Sequence, residues 1–268
     1  MPCFLPQMAR RLLYTAPCRR LATVSRGGEP KLYAEFVAQL RQTCGVERLG
    51  RPDKIGTSFA QFAMLYLLRS SNGLALACSG GPDSMALAVL WAQYVRQCLG
   101  EKARPLAFIV DHRLREDAKA EAQRVQEALV THLGYDAHIM TCTWQRFCEN
   151  ISPDNTVTAQ QVPLAKKMSL ARHARYTALL EAGKTHQLKG FLVAHHLDDQ
   201  METFYYRLAK NSGVDGLAAM RPRVEHLPIP EGLETPMALL RPLLPFQKVL
   251  FLGCWSIKRS AIDKRLRN

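Results

Sequence analysis

No cysteine of this chain stands in a Cys-x-x-Cys pair, and no repeat or low-complexity tract interrupts it. Its apolar runs stay far below the roughly 20 residues that a bilayer-spanning helix needs, so no transmembrane helix is expected. The eight cysteines, at positions 3, 18, 44, 78, 98, 142, 148 and 254, show no pairing rhythm. That argues against a zinc ribbon or disulfide framework and fits a reducing compartment, with Cys78 and Cys98 acting as small buried hydrophobes. Acidic residues are also scarce, 23 against 36 basic ones, and the net charge of +13 points to a polyanionic partner.

Acids are missing altogether from residues 1–28, which carry Arg10, Arg11, Arg19, Arg20 and Arg26. Removing those five charges leaves +8 on the remainder. Arginines interleaved with Leu12, Leu13, Tyr14 and Leu21, without a continuous apolar centre, fit a mitochondrial targeting segment better than a secretory signal. A basic arm that stays attached is the alternative, and with it a cytoplasmic location. The remaining residues are numerous enough for one large domain, and 47% apolar content suffices for a core.

The chain is organised around Leu74-Ala75-Leu76-Ala77-Cys78-Ser79-Gly80-Gly81-Pro82-Asp83-Ser84 and the apolar-rich segment from Met85 to Leu99. Five small or apolar residues predict a buried strand, and the spacing of Leu87, Ala88, Leu90, Trp91, Tyr94 and Val95 predicts a helix packed on it. The glycine pair permits backbone conformations and close approaches that a Cβ would block. Pro82 suits a first helical turn, whose free N–H groups can point at an anion. No Gly-Lys-Ser/Thr comes after it, so this is not a Walker A loop built to hold β- and γ-phosphates for γ-transfer. An ordinary tight turn is the plainer reading of two glycines alone.

Helices are expected over Lys31–Gln42, Phe59–Arg69 and Glu116–Leu133, the last closed by Gly134. Strands are expected at Pro105–Val110, Ala137–Thr141 and Gly190–Ala194. Residues 151–162 read as a polar loop, and Ser169 as the cap of a helix reaching to about His186. This alternation predicts an α/β fold, a mainly parallel sheet with helices on both faces. Ligands in such sheets lie at the carboxyl ends of the strands, where Ser79, Asp111 and His195 fall.

Asp198, Asp199 and Glu202 gather near a helix start, where negative charge is favourable without any catalytic purpose. Beside a triphosphate, the same carboxylates become candidates to hold Mg²⁺ or to orient an amine. His195 and His196 point to opposite faces if extended, which disfavours a paired metal site. Arg172 and Arg175 sit one helical turn apart, as either a solvated face or a phosphate clamp.

Ser79-Gly80-Gly81-Pro82-Asp83-Ser84 resembles the PP-loop of the N-type ATP pyrophosphatases, which cleave ATP between its α and β phosphates. Val110-Asp111-His112-Arg113-Leu114-Arg115, Ala171-Arg172-His173-Ala174-Arg175-Tyr176, Ala194 to Thr203 and Gly213 to Met220 together resemble the tRNA(Ile)-lysidine synthase family. The likeness runs from about Leu74 to Lys248. It implies that ATP adenylates the oxygen on carbon 2 of the wobble cytidine in an isoleucine tRNA with a CAU anticodon. The ε-amine of free L-lysine then displaces AMP to give lysidine.

On that resemblance Ser79, Gly80, Gly81, Pro82, Asp83, Ser84, Asp111, His112 and His195 are expected to bind ATP. Asp83, Asp198, Asp199 and Glu202 are the expected catalytic carboxylates, with Mg²⁺ on Asp198 and Asp199. Arg113, Arg115, Arg172, Arg175 and Arg207 are candidates for pyrophosphate or the tRNA backbone. The expected organisation is a targeting segment at 1–28, a helical extension at 29–72, the catalytic domain at 73–248 and a basic tail at 249–268. That tail departs from the family pattern after Arg241 to Lys248. Thiolation of tRNA by a related PP-loop enzyme, or a truncated form that binds without turnover, are the other readings. The lack of a cysteine pair argues against thiolation.

Overall fold

A computed structural model of the chain describes residues 28–44, 73–111, 117–142, 164–226 and 236–250. The expected helix at 59–69 and loop at 151–162 lie outside them. In chain order the elements are α1 (Gly28–Thr43), β1 (Leu74–Cys78), α2 (Pro82–Leu99), β2 (Leu106–Asp111), α3 (Ala118–Leu133) and β3 (Asp136–Thr141). Then come α4 (Leu164–Thr185), β4 (Gly190–Leu192), α5 (Leu197–Ala209), α6 (Val214–Leu217), β5 (Arg223–His226) and β6 (Pro236–Leu240).

The sheet runs β3-β2-β1-β4-β6-β5, parallel throughout except that β5 is antiparallel to β6. Strand alternation divides the core into two layers. Leu74, Leu76 and Cys78 of β1 pack with Ala107 and Ile109 of β2 under α2, where Trp91 is fully buried. Ala75 and Phe108 face the other way, onto Tyr176, Leu179 and Leu180 of α4 and Phe191 and Leu239 of the neighbouring strands. Covering both faces is what makes these strands read as continuous apolar runs. Phe36 and Leu40 of α1 belong to the α2 layer, so this helix contributes to the main core.

The structure differs from the sequence-based expectations in places. Ser169 does not cap α4, which begins at Leu164 directly after Pro163. The fourth strand ends at Leu192 rather than Ala194, although Val193 still donates its N–H to the Leu240 carbonyl at 2.9 Å. Strands β5 and β6 are additions to the expected set, and β6 matters most because its carboxyl end joins those of β1 and β4.

Successive strands run outward from β1 through β2 to β3, while β4 and β6 lie on its other side. The strand order therefore reverses between β1 and β4, and parallel sheets open a crevice at such a reversal. The loop after β1 and the segment after β4 both end there.

Candidate active site

The β1–α2 loop is braced from within. Gly80 has φ of 80°, a left-handed conformation, and a Cβ on it would strike the Val125 side chain of α3. Gly81 is extended, and a Cβ there would meet only Ser79 Oγ at 3.6 Å. Of the two glycines, only the first is required by the fold's own packing. Ser84, buried, donates to the Gly81 carbonyl at 2.9 Å and lies 3.2 Å from the exposed Ser79 hydroxyl. Ser84 thus holds the loop's shape, while Ser79 faces outward. Pro82 takes the first helical position, and the opening N–H groups of α2 have no intrahelical acceptors.

Asp83 lies in the first turn of α2, facing the segment after β4. Its Oδ2 is 3.7 Å from Nε2 of His196 and accepts from Nζ of Lys248 at 3.1 Å. Its Oδ1 is buried without a hydrogen bond. His196 is almost wholly buried, and its Nε2 is also 3.5 Å from Asp199 Oδ2. Asp199 in turn accepts the His196 backbone N–H at 2.9 Å, a capping contact that fixes the entry to α5. Asp198 is exposed, 4.0 Å from His196 Nδ1, and Glu202 is exposed one turn further along. Asp83, Asp199 and Asp198 therefore surround one buried imidazole.

His195 faces a different group. Its Nδ1 accepts from Nε of Arg241, the residue after β6, at 3.2 Å. Burial, followed by Arg241, pushes its pKa down to about 4; Asp199 pulls the other way, and Arg172 and Arg175 each add a smaller downward push. The imidazole is thus neutral at pH 7 beside three guanidinium groups. Arg241 is itself buried, donates to the Arg221 carbonyl at 2.7 Å, and has its pKa lowered chiefly by that burial. Arg172 lies over the Tyr176 ring at 5.6 Å.

Asp111 is buried at the end of β2, and both it and Arg175 act on the Cys142 thiol. Burial raises that thiol to about 11 and pushes Cys78 up as well, so neither is a reactive thiolate at neutral pH.

The structure thus brings Ser79 to Ser84, His195, Asp198, Asp199, Arg172 and Arg175 to one sheet edge. His112, Arg113 and Arg115 lie outside the described residues. Arg207 has another engagement: its Nη1 donates to the Gly216 and Ala219 carbonyls at 2.7 and 3.1 Å, bracing the turn after α5. Gln200 adds a paired contact to the Met220 backbone. Sequence reasoning gave no role to Arg241 or Lys248. The sign that could have found them is the apolar run Met237–Leu240, a strand whose carboxyl end joins the others.

Among the described residues no three His, Cys, Asp or Glu side chains gather to hold a metal. A Mg²⁺ that arrives with nucleotide phosphates needs only one or two protein carboxylates. Asp83, with one buried oxygen lacking a hydrogen bond, meets that demand.

The profile of the PP-loop domain family matches residues 54–256. The tRNA(Ile)-lysidine synthase of Bradyrhizobium diazoefficiens is 35% identical over 195 residues, covering 73% of this chain and 46% of that protein. The protein of the same name from Rhodopseudomonas palustris is 34% identical over 193 residues, covering 72% and 48%. The chain spans about half the length of the curated relatives it matches. Among solved structures, the U34-tRNA thiolase NcsA from Methanococcus maripaludis, with its 4Fe-4S cluster, superposes with a TM-score of 0.54 at 15% identity. That match covers 91% of this chain and 71% of the thiolase, a likeness of fold.

Proposed function

The chain belongs to the PP-loop domain family, and from that membership we propose that it is an ATP-dependent tRNA-modifying ligase that joins free lysine to the wobble cytidine of an isoleucine tRNA. The observation that carries the reading is the meeting of the PP-loop with the Asp198–Asp199 helix start at the sheet's reversal point, together with the 35% identity to proteins of that name.

The chemistry accounts for the parts. The oxygen on carbon 2 of cytosine leaves poorly until AMP is attached to it. The loop N–H groups and Ser79 receive the nucleotide phosphates, and the base oxygen displaces pyrophosphate from the α-phosphorus. Arg172, Arg175 and Arg241 supply positive charge where polyanions meet, beside an imidazole that stays uncharged and so adds no further cation. Asp198, Asp199 and Glu202 attract the lysine ammonium, and one of them takes its proton before the amine attacks. A Mg²⁺ held by Asp83, or by Asp198 and Asp199 at the start of α5, would neutralise charge on the phosphates.

The thiolase reading has less support. Among the described residues Cys44, Cys78, Cys98 and Cys142 form no disulfide, and the pKa values of Cys78 and Cys142 are raised by burial. The five arginines and absent acids of residues 1–28 support import into the mitochondrial matrix.

Incubation of the full chain with ATP, labelled lysine and an isoleucine tRNA carrying a CAU anticodon tests the proposal. Label in RNA is expected, with one AMP and one pyrophosphate released per lysine. ATP binding without incorporation would favour a form that binds without turnover.

A further inference from the structure

The β1–α2 loop lacks the lysine with which a Walker A loop holds terminal phosphates, yet a lysine stands against it. Lys248, 165 residues away in sequence, places its Nζ 3.1 Å from Asp83 Oδ2. Its backbone is well anchored. Leu243 and Phe246 are buried in the α2 layer, and the Phe246 carbonyl accepts the N–H of Leu197, the first residue of α5, at 2.9 Å. The carbonyl that fixes this segment is thus bonded to the helix start bearing Asp198 and Asp199. Lys248 itself remains 39% exposed, so its ammonium can be reached by a ligand.

We propose that Lys248 holds the pyrophosphate half of ATP, supplying from the far end of the fold the cation that the loop does not carry. The assignment rests on the ATP-dependent reading above and deepens it. The distances favour a cation that is shared rather than locked. Asp83 Oδ2 also has His196 Nε2 at 3.7 Å, so the carboxylate keeps a polar neighbour if Lys248 turns to a phosphate. Lysine suits the task as a compact point charge on a flexible stem.

In the reaction the bond from the α-phosphorus to the oxygen bridging to the β-phosphate breaks. That oxygen leaves with the electron pair, and the cytosine oxygen takes its place on phosphorus. Lys248 stays protonated throughout and donates a hydrogen bond to the departing pyrophosphate, where negative charge accumulates.

The test compares Lys248→Met with the wild-type full chain for binding of ATP, AMP and inorganic pyrophosphate by calorimetry. Loss of a charge-assisted hydrogen bond should weaken ATP and pyrophosphate by about ten- to a hundredfold. AMP, which lacks the β- and γ-phosphates, should change by less than about twofold. Lys248→Arg should restore much of the ATP affinity and control for folding. Equal weakening of ATP and AMP would show that Lys248 merely supports Asp83 and would overturn the assignment, as would unchanged ATP binding. A wild-type chain that binds no adenine nucleotide overturns the ATP reading itself and this assignment with it, a result distinct from the others.

Discussion

Nδ1 of His195 accepts a hydrogen bond from Nε of Arg241 at 3.2 Å, tying the segment after β4 to the residue after β6. The arginine cannot give up its proton at any ordinary pH, so this nitrogen must be the bare one. Protonating His195 would set two donors against each other among three guanidinium groups.

Stability should therefore depend on pH. The folded pKa is about 4 against 6.5 for the free side chain, so between those values the unfolded chain binds a proton that the folded chain refuses. Stability from this group is complete above about pH 6.5, falls as pH drops, and is fully lost below about 4. The loss is on the order of 3 kcal/mol. His195→Gln carries no such proton. Melting of the two proteins from pH 7 to pH 4 should show the wild type losing Tm faster than the variant, and a constant difference would mean that His195 is not held neutral.

Asp198 and Asp199 are adjacent but differ in what removing them should cost. Asp199 accepts the His196 N–H, whereas Asp198 is exposed. Asp199→Ala should destabilise by about 1 kcal/mol, as for other lost caps. Asp198→Ala should leave stability within about 0.5 kcal/mol of wild type while lowering lysine incorporation at least tenfold. Denaturant melts run beside the incorporation assay separate the effects; equal stability losses would contradict the capping geometry.

Gly190 shows how closely β4 is held between its neighbours. A Cβ there would run into the backbone carbonyl of Ala238 on β6, an atom that cannot turn aside. Gly190→Ala should cost about 1–3 kcal/mol, read as a Tm lower by roughly 3–10 °C. Gly213 is a control, since a Cβ on it meets nothing within 4 Å and its φ of −67° is ordinary. Gly213→Ala should melt within about a degree or two of wild type.

Legibility in the sequence tracks the range of the interactions. Strands β1 and β2 and helix α2 announce themselves because burial on both faces writes an unbroken apolar pattern. The Gly80-Gly81 turn and the Asp198–Asp199 helix start are likewise local. The start of α4 is easily misplaced because Ser169 has the chemistry of a cap, while Pro163 reads equally well as the edge of a loop. Arg241 and Lys248 escape for a different reason. Their partners, His195 and Asp83, are 46 and 165 residues away, and only the position of β6 beside β4 brings them near.

The arginines offer a final separation between bracing and binding. Arg172, Arg175 and Arg207 are all candidates for phosphate by sequence, but Arg207 donates to the Gly216 and Ala219 carbonyls, whereas Arg172 and Arg175 act on His195 at the sheet edge. Neutralising a residue that contacts a tRNA phosphate removes a released counterion, so the slope of log affinity against log salt should become shallower by about 0.7 to 0.9 per contact. Arg172→Gln and Arg175→Gln should each show this change. Arg207→Gln should leave the slope alone and instead speed hydrogen exchange in residues 213–220, whose carbonyls have lost their donor. Titrations of tRNA at several salt concentrations measure the first effect, and a flatter slope for Arg207→Gln would return that residue to the phosphate-binding group.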